Sequence, residues 1–191
     1  IIDVFSRSII EEDLGVHEGV IVGFGDYQGV EEIDLKGKYV APGLIDGHIH
    51  IESSYLTPEE LGSLLVNFGT TTIVADPHEI VNVRGLDGLD YMIEASKNTE
   101  LDIKYVLPSC VPATPFENAG AIVNADDMND HMNMEEIIGL GEFMNFPGVI
   151  YGDDECLRKI NLAKKEGKII DGHCPGPVSY THLTLPTTPY V

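Results

Sequence analysis

The chain has 191 residues, 43% hydrophobic and 23% charged, the balance of a globular protein with a substantial core. Its 11 basic residues against 32 acidic ones leave a formal net charge of -21, a surface that repels phosphate backbones and anionic membranes. Nucleic acid and lipid surfaces are therefore excluded as expected partners, and a small neutral or cationic ligand or a metal ion suits the chain better.

Residues 1–40 read as short strands, with β-branched clusters in "GVIVGFG" and "VEEIDLKGKYV" broken by glycines. From residue 42 strand and helix signals alternate. "GLIDGHIH" is a first strand. "TPEELGSLLVNFG" follows as a helix: Thr57 as N-cap, Pro58 at the first position and Glu60 completing a capping box. Leu61, Leu64, Leu65 and Phe68 fall on one face of it, and Gly69 ends it. "TTTIVAD" is a second strand, "GLDGLDYMIEASKN" a second helix and "DIKYVLPS" a third strand. A long loop, "CVPATPFENAGAI", leads to a weaker helix at 125–136 and a fourth strand, "IIGLGEF". Asp154 is expected to cap a helix with Cys156, Ile160 and Ala163 on one face, ending at Gly167 before a fifth strand, "KIIDGH". Strands alternating with helices in this way predict an α/β fold with a parallel sheet of βα units. The last stretch, "VSYTHLTLPTTPYV", has no charged residue and no amphipathic period. It resembles translated sequencing-adapter sequence and is not expected to belong to the fold.

Three cysteines, Cys110, Cys156 and Cys174, form no CxxC pair, which argues against a disulfide framework and a thiolate zinc site. No apolar run approaches the ~20 residues of a membrane span, and the start shows no signal-peptide pattern. The expectation is a soluble cytoplasmic protein.

Side chains alternate along a strand, so His48 and His50 point the same way. Two neutral imidazoles at the C-terminal end of a barrel strand can hold zinc, iron or manganese. An isolated HxH is a weak signal, but other strand ends reinforce it. Asp76, His78 and Glu79 end the second strand, Glu142 the fourth and His173 the fifth. A carboxylate such as Glu142 can bridge two cations, with His173 on the second. Two cations about 3.5 to 4 Å apart can activate a shared hydroxide. The bland alternatives are a salt bridge for Glu142 and a plain loop histidine at 173. His17, His131 and His182 lack a strand-end context and read as exposed; Cys110 and Cys174 read as packing residues.

"PGLIDGHIH" resembles the first-strand signature of the amidohydrolase superfamily, metal-dependent hydrolases on a (β/α)8 TIM-like barrel beside a small β-sandwich. Together with "GTTTIVADPHEI", "LPSCVPATPFE", "GLGEFMNFPGV" and "DGHCPG" it resembles the adenine deaminase family of bacteria and archaea, over residues 3 to 176. The resemblance implies part of the β-sandwich at 1–40, about the first five βα units of the barrel at 41–177, and a non-native tail at 178–191. It implies a binuclear divalent centre of manganese or iron, zinc also being accepted, with His48 and His50 on the first metal, Glu142 bridging and His173 on the second. The implied reaction is hydrolytic deamination of adenine to hypoxanthine and ammonia by a metal-activated hydroxide, in adenine catabolism and purine salvage. His78 and Glu79 join Glu142 as catalytic candidates, and Glu52 and Asp76 are substrate-binding candidates. Each of these four also fits orientation of a ligand histidine or a helix cap. A homodimer is expected of the full-length protein.

Two alternatives stand beside this reading. A dihydroorotase-like or hydantoinase-like hydrolase commonly carries a carboxylated lysine as its bridge, where this chain has Glu142. A closed barrel needs eight strands, so the chain as written is expected to be an inactive, metal-binding fragment of the enzyme.

Overall fold

The structure is a computed structural model and describes residues 1–173. It divides into two compact units, Ile1–Leu44 and a second that begins at Ile45.

The first unit holds two antiparallel pairs. Strand β1 (Ile2–Asp3) pairs with β2 (Ser8–Ile9), and β3 (Asp13–His17) with β4 (Val20–Gly25). The β3–β4 connection runs through Glu18 and Gly19, both at positive φ (49° and 77°), which matches the twist of a tight hairpin. The "VEEIDLKGKYV" segment was expected to be a strand and is not one. Its apolar residues Val30, Ile33 and Leu35 are exposed, so no sheet face rewards extension there.

The second unit is built on a five-stranded sheet in chain order: β5 (Leu44–Ile49), β6 (Thr70–Ala75), β7 (Asp102–Leu107), β8 (Ile137–Phe143) and β9 (Ile169–Gly172). The β6–β7, β7–β8 and β8–β9 pairs are parallel, with Ile73 opposite Ile103, Leu107 opposite Leu140 and Phe143 opposite Gly172. Sequential order with helices between strands is the first part of a (β/α)8 barrel. The intervening helices are α1 (Pro58–Leu65), α2 (His78–Arg84), α3 (Leu86–Ser96), α4 (Asn129–Met132), α5 (Phe146–Tyr151) and α6 (Asp154–Lys165). Ile73, Tyr105, Leu107, Ile137 and Leu140 from the sheet pack in one buried cluster with Leu61, Leu89, Met92, Met132 and Ala163 from the helices. The buried Tyr105 hydroxyl lies 2.6 Å from Ser96 Oγ and donates to Met92 O at 3.0 Å; burial raises its pKa.

Several local expectations are corrected. Thr57 is the N-cap of α1, but its side chain makes no capping bond. Of the residues expected on one buried face, Leu61 is buried but Leu64, within α1, and Phe68 are exposed; the 3-10 turn at Val66–Phe68, with its extra rotation per residue, carries Phe68 further off that face. The helix expected over 125–136 shrinks to Asn129–Met132, with Asn and Asp at its start favouring turns. Asp153, not Asp154, caps α6, its carboxylate accepting from the Cys156 N–H at 3.0 Å. Helices α2 and α5 were not foreseen. Among the described residues no helix is long and apolar enough to cross a membrane. The expectations for Cys174, His182 and the tail fall outside the described residues.

Candidate metal centre

The centre is assembled at the C-terminal ends of the strands. β5 carries His48, and His50 follows it directly, capping a 3-10 turn anchored by the fully buried Ile51. The two imidazoles do share a face: their Nε2 atoms are 3.2 Å apart. Each ring is tied at its other nitrogen. His50 Nδ1 lies 2.8 Å from Asp76 O, and His48 Nδ1 lies 2.9 Å from Asp171 Oδ2. A carbonyl or ionised carboxylate only accepts, so Nδ1 of each ring carries a proton, and in the neutral ring Nε2 presents its lone pair.

Glu142 meets them from β8. Its Oε1 is 3.5 Å from His50 Nε2 and 4.0 Å from His48 Nε2, while its Oε2 is 2.5 Å from His173 Nδ1. One carboxylate oxygen thus faces the histidine pair and the other faces His173. Glu142 is largely buried, and among the described residues its ion-pair contacts are histidines, not a lysine or arginine. Two lone-pair nitrogens and a carboxylate oxygen at these separations repel one another unless a cation lies among them. Ligand atoms about 2.1 Å from one ion at tetrahedral angles lie about 3.4 Å apart, so the donor set fits a divalent cation.

A second layer surrounds this. Asp76, only 1% exposed, accepts from the Glu142 N–H through Oδ2 at 3.0 Å. Its Oδ1 stands 3.6 Å from His78 Nδ1, beyond hydrogen-bond reach, and neither atom has another partner. This contact raises the His78 pKa above the ordinary histidine value, against burial, with Glu79 and Glu142 adding to it. His78 and Glu79 do not end a strand: they open α2, with Pro77 as its N-cap. Glu79 Oε2 is 3.8 Å from both His50 Nδ1 and His78 Nε2, and its Oε1 accepts from Ser53 Oγ at 3.3 Å. Glu52 Oε1 accepts from the Ile80 N–H at 3.2 Å, satisfying a free donor of the first turn of α2; burial raises its pKa.

The structure therefore gathers His48, His50, Asp76, His78, Glu79, Glu142 and His173, with Glu52 beneath α2. Three donor groups converge tightly: His48, His50 and Glu142; His50, His78 and Glu79; Asp76, His78 and Glu142. Asp171 was missed, although the repeated Asp-Gly-His at 46–48 and 171–173 was its signal. Ser109, whose hydroxyl donates to Glu142 O at 2.6 Å, carried no sequence signal. His131 is not free in solvent but partly buried, 2.9 Å from Asp90. His17 is exposed and Cys110 packs in the core, both as expected.

Residues 39–182 match the model of the Amidohydrolase family. The chain is 58% identical over 92% of its length to a protein named adenine deaminase 2 from Desulfotalea psychrophila, of which it covers 31%. It is 56% identical over 92% of its length to adenine deaminase of Ligilactobacillus salivarius, covering 30%, and 51% identical over 85% of its length to that of Methanoculleus marisnigri, covering 31%. The chain thus spans about a third of the length of these relatives.

Proposed function

The chain belongs to the amidohydrolase family, and from that membership we propose that its full-length parent hydrolyses adenine to hypoxanthine and ammonia. The observation that carries this reading is the convergence of His48 Nε2 and His50 Nε2 on Glu142 Oε1, with Glu142 Oε2 turned to His173.

In this reading His48, His50, Glu142 and His173 would hold divalent cations, which when bound would supply Lewis acidity and lower the pKa of water. Nitrogen and oxygen donors accept manganese, iron or zinc, and we favour manganese or iron. Asp171 and the Asp76 carbonyl hold the two imidazoles in the tautomer that leaves Nε2 free. His78 holds a proton at Nδ1, between Asp76 Oδ1 at 3.6 Å and Glu142 Oε1 at 3.9 Å. Glu79, 3.8 Å from His78 Nε2, is placed to exchange a proton with that ring. Glu52 and Asp76 were expected to contact the purine. Their bonds to the Ile80 and Glu142 amides favour a share in shaping the pocket. We place the protein in the cytoplasm, in adenine catabolism and purine salvage, as a homodimer; the buried free thiols of Cys110 and Cys156 support a reducing compartment.

The test is to load the full-length protein with Mn2+ and follow adenine, hypoxanthine and ammonia. Stoichiometric hypoxanthine and ammonia, falling at least ~100-fold in Glu142→Gln, support the reading. No hypoxanthine from the metal-loaded wild type overturns it.

A further inference from the structure

Lys159 lies on the face of α6 that packs inward and is only 6% exposed. Its ammonium donates to Ser109 O at 2.9 Å and Val123 O at 2.7 Å, tying together both ends of the long segment after β7. The same Ser109 donates its hydroxyl to Glu142 O, while the Glu142 N–H is held by Asp76 Oδ2. Glu142 is therefore gripped at its own carbonyl and its own amide, and one of those grips is anchored on Lys159. Burying an ammonium is costly, and an apolar side chain of the same length fills the space without that cost if packing is all the position requires. Burial lowers the Lys159 pKa, with Cys110, Glu155, Cys156 and Asp127 opposing the shift.

We propose that Lys159 is a positioning residue for the candidate metal centre: through the carbonyl and then the hydroxyl of Ser109 it sets where the Glu142 carboxylate stands. The inference deepens the metal-centre reading and rests on it for its metal-binding consequence.

The experiment compares the 191-residue chain with Lys159→Met, Ser109→Ala and the double variant. Co2+ titration gives the affinity and the visible spectrum of the bound ion, and amide hydrogen exchange reports on Glu142 itself. Each single variant is expected to keep its far-UV circular dichroism, weaken Co2+ about tenfold, shift the visible bands and speed exchange at Glu142. The double variant is expected to lose little more than either single one, because both act through one connection. A purely structural lysine gives additive losses and an unshifted spectrum, which overturns the proposal. If the wild type binds no Co2+, the metal-centre reading fails, and exchange at Glu142 decides alone: unchanged exchange in Lys159→Met overturns the inference and faster exchange upholds it. Should Lys159→Met lose its fold, Lys159→Arg replaces it; its longer fork displaces Ser109 and is expected to shift the same two readouts, and no shift overturns the proposal.

Discussion

His48 and Asp171 lie 123 positions apart in the chain and 2.9 Å apart in space, where the carboxylate accepts from the imidazole Nδ1–H. The first and last strands of the five-stranded sheet thus meet at one ring. Removing the acceptor frees His48 to rotate and to change tautomer. Asp171→Ala is expected to weaken Co2+ or Zn2+ binding by about 10- to 100-fold while leaving the fold intact, measured by calorimetric titration. Unchanged affinity would show that Asp171 does not orient His48.

Adding a divalent cation should stabilise the chain through the same donors. At about 100 times its dissociation constant, a ligand specific to the folded state contributes ~2.7 kcal/mol. Thermal unfolding with Co2+ is expected to shift upward and return with chelator. His50→Asn, which removes the donor nearest Glu142 Oε1 in the His48–His50 pair, is expected to abolish most of the shift.

In the metal-free chain His78 contributes a pH dependence of known sign. Its folded pKa is raised, first by Asp76, so the folded state holds the proton more tightly than the unfolded one. That stability is fully present below the ordinary histidine value and is lost as pH rises through the raised folded value. Denaturant titrations across this window should show stability falling with pH, and His78→Gln should flatten that part of the curve. An equal slope in both proteins would assign it to another group.

Gly141 sits where a Cβ would come within 2.4 Å of Asp76 Oδ2 and 3.0 Å of Asp76 Cγ. Asp76 is buried and bonded to the Glu142 amide, so it cannot swing aside freely. Gly141→Ala is expected to cost about 1–3 kcal/mol in chemical denaturation and to weaken metal binding as Glu142 shifts.

On α1 the usual gain from replacing a helical glycine should reverse. A Cβ on Gly62 would meet Thr99 Oγ1 at 2.0 Å and Thr99 Cβ at 2.8 Å. Gly62→Ala is expected to destabilise by roughly 1–2 kcal/mol instead of stabilising by up to ~1. Combining it with Thr99→Gly should recover part of the loss; a Gly62→Ala variant more stable than wild type would refute the clash.

The α/β alternation, the placement of all five sheet strands, and the histidine, aspartate and glutamate residues that end up together were legible in the sequence, because period-two and helical patterning report which face is buried. The Asp-Gly-His repeat even pointed at Asp171. Short elements were legible only in part: α4 was expected within a longer helix over 125–136, and α2 and α5 were not expected. Helices α2, α4 and α5 have 7, 4 and 6 residues, too few for a periodic signal, and their ends depend on what they pack against. Lys159 was invisible for a related reason: at i+3 from Cys156 it occupies the buried face, but a lysine there reads as a break in the apolar pattern until Ser109 O and Val123 O are seen beside it.

By itself the sequence determined the kinds of donor and their strand ends, since alternation along β5 alone sets His48 and His50 on one side. Which oxygen of Glu142 faces which histidine, which nitrogen of each ring is left free, and that Asp76 spends its carboxylate on a backbone amide were decided only by the tertiary structure. Those outcomes depend on distances between residues from β5, β6, β8 and β9 that no local pattern encodes. They arise when parallel strands set their ends side by side, which brings most buried polar atoms to a partner while leaving Asp76 Oδ1 and His78 Nδ1 without a hydrogen bond.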